Sequence, residues 1–137
     1  MDGGRLLAWM AIPMVPATFA VGTAVWGCYQ RSQYPWAASF GVLVVAALFI
    51  ALFTHNARGT LRLIPMLNRD EWRTVLGLNI LGSLAATTAF ATLGTAYYLD
   101  VMDRRIQGVM STFTVCVTLA LAALIAIRWQ LAKVTRL

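Results

Sequence analysis

His55 is the single histidine of the chain and stands beside Asn56 and Arg58. An imidazole there could serve as one axial ligand of a haem or chlorophyll-type pigment. A metal centre needs three or four His, Cys or carboxylate ligands, and none besides His55 lies close to it in sequence. The first reading of His55 is thus an interfacial residue without a cofactor, the pigment ligand is the second, and no cofactor or metal is expected. Cys28 and Cys116 form no CxxC motif. On the span assignment below, Cys28 lies near one border and Cys116 about 15 Å deep at 1.5 Å per residue. That separation exceeds the ~7 Å limit for a disulfide, so both read as small apolar fillers.

Two further sets of residues repeat at helical spacing. Asn79, Gly82, Ser83, Ala86, Thr87, Phe90 and Gly94 fall on one side of a helix and form a narrow stripe of small and polar side chains. Gln107, Ser111, Thr114 and Thr118 form a second stripe. Small residues let helix backbones approach closely, and amides or hydroxyls can bond across the seam, so helix packing is the first reading of both stripes and a permeation path the second. Thr87 and Thr114 come to comparable depth in adjacent antiparallel segments, which leads to the expectation that the stripes face one another.

Other chemistry lacks its groups. The apolar segments hold no Ser/His/Asp or Cys/His set at a common depth and no carboxylate pair, and no glycine-rich phosphate loop is present. An enzyme is not expected. A proton-coupled exporter of the small multidrug resistance type relies on a membrane-embedded glutamate, and no carboxylate stands inside any apolar run of this chain.

The elements that must carry these residues follow from composition. Of 137 residues, 60% are apolar and 12% charged, against ~45–50% and about 25% in ordinary soluble domains. A Lys, Arg or Asp at mid-bilayer costs at least ~2.5–3.5 kcal/mol on insertion scales, so charge-free runs mark candidate spans. The runs 6–29, 34–54, 74–99 and 106–127 hold no acidic or basic side chain, and each exceeds the roughly 17–20 residues needed to cross hydrocarbon. Backbone groups at that depth must be satisfied internally, and runs this long and uniformly apolar are helices rather than barrel strands. The expected fold is an all-α integral membrane protein, a single domain of four transmembrane helices in a bundle.

Sidedness follows from Lys and Arg. One side carries Arg5, Arg58, Arg62, Arg69, Arg73, Arg128, Lys133 and Arg136, and the other only Arg31, Arg104 and Arg105. The positive-inside rule then places both termini in the cytoplasm, with a bacterial inner membrane as the default host. Arg58, Arg62, Arg69, Arg73, Arg128, Lys133 and Arg136 are expected on anionic lipid headgroups, which accounts for the net charge of +6 without a nucleic acid. All five Trp and all four Tyr fall near span borders, where a polar tip stays wet.

Pro13 and Pro16 should kink the first span, because each lacks a backbone donor. The apolar run there continues too far for a cleavable signal peptide, so a retained anchor is expected. The connection 55–73 is the longest. Its stretch 61–67, apolar and basic, suits the headgroup layer, with Pro65 preventing one continuous helix. Asn68 should cap the third helix, with Glu71 three residues on and Leu67 and Trp72 placed for a hydrophobic staple, giving a helix of about 46 Å. The fourth helix should continue past its span through Ile127, Leu131 and Val134. With packing features plentiful and reactive groups missing, the expected role is a non-catalytic accessory or assembly subunit of a larger membrane complex. A homo-oligomeric channel using the two stripes is the alternative, and a pigment-carrying subunit the third.

Overall fold

The computed structural model describes residues 3–136, with side chains over 3–134. Its helices are α1 (Gly3–Ala11), α2 (Met14–Arg31), α3 (Pro35–Leu63), α4 (Arg69–Tyr98) and α5 (Met102–Arg136), with one 3-10 turn at Ile64–Met66. They make four segments long and apolar enough to cross a membrane, Gly3–Arg31, Pro35–Met66, Arg69–Tyr98 and Met102–Val134.

Each boundary has a local cause. The first segment breaks at Ile12 and Pro13, between α1 and α2. Pro16 falls in the first turn of α2, where its missing donor costs nothing. Pro35 opens α3, a position that suits its fixed φ. Asn68 caps α4, its side-chain oxygen accepting from the Glu71 N–H at 2.8 Å. At the far end of α4 the Val101 N–H returns to the Ala96 carbonyl and the Asp100 N–H to that of Tyr97, with Asp100 at φ 57°. This is a Schellman ending in which aspartate takes the left-handed place usually held by glycine. The Asp100 carboxylate is thereby free to meet Arg31 at 2.6 Å, and because both side chains are well exposed the pair contributes little.

The connection 55–73 is shorter than the charge pattern suggests, because α3 runs on through Leu63 before the 3-10 turn that holds Pro65. Nothing breaks the helix before Pro65, and the charges at Arg58 and Arg62 sit on its exposed side.

The helices pack in the ring order α2, α3, α5, α4. α2 and α4 are parallel, since Met10 in the preceding turn meets Asn79 while Gly27 meets Tyr97. α4 and α5 are antiparallel, Gly82 facing Ala123 and Phe90 facing Phe113. Side-chain size is inverted relative to a water-soluble core. The inward face of α2 is Ala17, Ala20, Ala24, Gly27 and Cys28, whereas Phe19 and Trp26 on the same helix are 74% and 65% exposed. Lipid tails are as apolar as leucine, so burying a large aliphatic side chain gains little. Helices in hydrocarbon are held by close backbone approach and interhelical hydrogen bonds, which small residues permit. Buried positions recur in steps of three and four, as in Val75, Asn79, Gly82, Ala86, Ala89, Leu93 and Ala96 of α4, the spacing of a coiled-coil-like seam.

Candidate functional site

The polar residues divide between two bundle-spanning staples inside and one stripe outside. Asn79 of α4 has no exposed surface, and its Nδ2 donates to the Met10 carbonyl at 2.9 Å. Met10 lies in the last turn of α1, where the break at Pro13 leaves carbonyls without a following helical N–H. Asn79 therefore serves the kink in the first segment and holds it to α4. Asn56 of α3 does the same for α5: it too is fully buried, and its Nδ2 donates to the Leu124 carbonyl at 3.0 Å. Each amide leaves its Oδ1 without a partner.

The rest of the α4 stripe is packing. Gly82, Ser83, Ala86, Phe90 and Gly94 are buried, and Thr87, half-buried, donates back to the Ser83 carbonyl. Gly82 meets Ala120 and Ala123 of α5, and Gly94 lies against the Thr23 and Ala24 backbone of α2. A recess of about 90 Å³ lies beneath, between α2, α3 and α4, walled by Ala46, Phe49, Ala86, Phe90 and Leu124 with Ser83 at its edge. Its lining residues carry no charge.

The second stripe is not where the sequence places it. Gln107, Ser111, Thr114 and Thr118 are all exposed on the outside of α5, and the face of α5 that meets α4 and α3 is Val109, Ala120, Ala123, Leu124 and Ile127. The two stripes therefore do not face one another. The reason is the phase of the apolar pattern: Ala120, Ala123 and Leu124 fit against Gly82 and Phe113 against Phe90, and the hydroxyls lie on the remaining side. Thr118 satisfies its hydroxyl on the Thr114 carbonyl at 2.8 Å.

At the other end from Arg31, the cations stand at the surface. Arg58, Arg62, Arg69, Arg73, Arg128 and Lys133 are all exposed. The side chain of Arg136 lies outside the described residues. Arg73 and Lys133 approach the rings of Trp72 and Trp129 at 5.9 and 4.7 Å, placing a cation over an aromatic ring in each case. His55 is exposed near the end of α3, so a pigment ligated there would lie on the flank of the bundle. Among the described residues no three His, Cys, Asp or Glu side chains come together as a metal site. Cys28 and Cys116 are both free.

Asn56 escapes a reading that ends the second span at residue 54. The signal was present: Val42, Ala46, Phe49, Asn56 and Thr60 keep one buried period through the whole of α3. Following that period past the first charge would have found both Asn56 and Thr60, whose hydroxyl donates to the Asn56 carbonyl.

The described residues form an all-helical fold with four helices long and apolar enough to cross a membrane. No family model, no curated protein and no solved structure matches the chain.

Proposed function

We propose that this protein is a non-catalytic accessory or assembly subunit of a larger membrane complex, anchored with its basic end on anionic headgroups of the cytoplasmic leaflet of a bacterial inner membrane. One observation carries the reading: Gln107, Ser111, Thr114 and Thr118 are exposed along α5, three of them within the apolar part of a helix long enough to span the membrane. Thr118 is bonded within α5, but lipid tails offer Ser111 and Thr114 no hydrogen-bond partner, whereas a neighbouring helix does, and hydroxyls and amides on one face are a recognised means of helix association. The protein's own polar interior is already occupied by the Asn79 and Asn56 bonds, which supports assembly over transport through the chain itself. Both termini face the cytoplasm on this reading, by the excess of Lys and Arg at that end.

The test is purification from native membranes in a mild detergent, followed by mass spectrometry. The chain should be recovered with other membrane proteins in fixed stoichiometry. Replacing Ser111, Thr114 and Thr118 together with leucine should remove those partners and leave the thermal stability of the isolated chain within about 0.5 kcal/mol, since exposed positions away from a structural feature contribute little. Recovery of the wild-type chain alone as a uniform oligomer would defeat the proposal and favour a channel built from several copies meeting at α5. A coloured preparation whose absorbance is lost in His55→Ala would favour the pigment carrier instead.

A further inference from the structure

Beyond the assembly role, the flank of the bundle between α4 and α5 carries a polar recess at the end opposite the main basic cluster. It measures about 530 Å³ and is lined by Arg104, Arg105 and Gln107 at the start of α5, with Thr92 of α4 and Thr112 of α5 further in. Thr92 is half-buried and the other four are exposed. Among the described residues, none of these five side chains has a hydrogen-bond or ion-pair partner. Asp100 and Asp103, the nearest carboxylates in sequence, line a different recess, where Asp100 holds Arg31. Two guanidiniums, an amide and two hydroxyls thus gather without a carboxylate, a set that suits a ligand rich in acceptors and negative in charge. Arg105 also interrupts the helix, at φ -127° and ψ 26°. Ile106, Gln107 and Gly108 therefore form the first turn of the long remainder of α5, whose dipole adds to the positive potential.

We propose that this recess binds the headgroup of an anionic phospholipid, with Arg104 and Arg105 on the phosphate and Thr92 and Thr112 donating to the ester oxygens below it. The order of groups along the helix axis supports that occupant. From Arg105 to Thr112 the helix rises about 10 Å, enough to span the ~5–8 Å interfacial layer between headgroup and hydrocarbon. Further in, a second recess of about 510 Å³ shares Thr92 and Val109 with the first and continues along Ala91, Thr88 and Thr87 of α4. There the hydroxyls are closed: Thr87 donates to the Ser83 carbonyl and Thr88 to that of Leu84. Open donors stand at the level of phosphate and ester, and satisfied ones at the level of the acyl chain. On the proposed membrane placement this face carries only Arg31, Arg104 and Arg105, and Arg31 is already engaged by Asp100.

The proposal rests on that placement and not on the assembly role, so the full chain is tested alone. It is reconstituted in phosphatidylethanolamine vesicles doped with phosphatidylglycerol bearing a diazirine high in one acyl chain. After illumination, adducts mapped by mass spectrometry should concentrate on Ala91, Thr92 and Val109. Arg104→Gln with Arg105→Gln should lower those adducts at least about tenfold, the value of a charge-assisted hydrogen bond. Adducts near Arg69 and Arg128 at the other end should be unchanged, which also shows that the variant is inserted. Thr92→Val and Thr112→Val, which keep the side-chain shape, should each lower labelling about two- to fivefold. Gly108→Leu fills the recess at a position where an added Cβ meets nothing within 4 Å, and should lower it as well. The same diazirine carried by phosphatidylethanolamine should label the recess about fivefold less, since its ammonium faces two guanidiniums. Loss of the adducts in excess glycerol phosphate would identify a soluble phosphate ester as the ligand and overturn the proposal. A double-glutamine protein labelled like the wild type would overturn it too. So would labelling spread evenly over the exposed faces of α3, α4 and α5, which would leave a partner protein's carboxylate as the occupant of the two arginines.

Discussion

Asn79→Asp should cost about 3 kcal/mol or more of stability at neutral pH, because it puts a carboxylate where α4 has no exposed surface. The amide now donates to the Met10 carbonyl at 2.9 Å. An ionised carboxyl cannot donate, and its oxygen would meet that carbonyl acceptor to acceptor. Asn79→Leu should be milder, about 1 kcal/mol, since interhelical bonds in membranes average only ~0.6 and reach ~1.7 kcal/mol. Leucine also removes the Oδ1 that now has no partner. Denaturation in mixed micelles at neutral pH would separate the two variants. An Asn79→Asp protein as stable as the wild type would refute the burial of that amide against Met10.

The second large effect is expected at Gly94. A Cβ there would lie 2.7 Å from Thr23 Cγ2, 3.0 Å from the Thr23 carbonyl carbon and 3.1 Å from the Ala24 nitrogen. The methyl of Thr23 can turn away, but the backbone atoms cannot, so α2 and α4 must separate. Gly94→Ala should cost about 1–3 kcal/mol, the usual range for overpacking, and Gly94→Leu more than the top of it. Gly77 on the same helix has nothing within 4 Å of its added Cβ, and Gly77→Ala should leave stability within about 0.5 kcal/mol. Equal effects at Gly94 and Gly77 would mean that the α2–α4 seam is not close-packed.

The number of helices was legible because cost per charge in hydrocarbon is large and local, so the ion-free runs mark the spans without knowledge of any contact. The Asn68 cap and the break at Pro13 were legible for a similar reason, each being fixed by a few neighbouring residues. Direction within the bundle was harder. The α4 stripe of Asn79, Gly82 and Ser83 does point inward, yet Gln107, Ser111, Thr114 and Thr118 share the same character and point out. Periodicity gives a face but not what it faces, and in a membrane both faces of a helix are apolar enough to be buried.

Four long-range bonds have nearly the same offset. Met10 to Asn79, Met14 to Ser83 and Arg31 to Asp100 each join residues 69 apart, and Asn56 to Leu124 joins residues 68 apart. The two helical hairpins therefore lie abreast, each residue of the first beside its counterpart in the second, like two pages of one opened book. Biogenesis inherits an order from this. On the proposed membrane placement, the leading hairpin would expose the Met10 carbonyl at its bend until the trailing one supplies Asn79 to close it. Two polypeptides divided at the turn after Met66 and synthesised together should consequently find one another and restore the whole, whereas either made alone should be degraded.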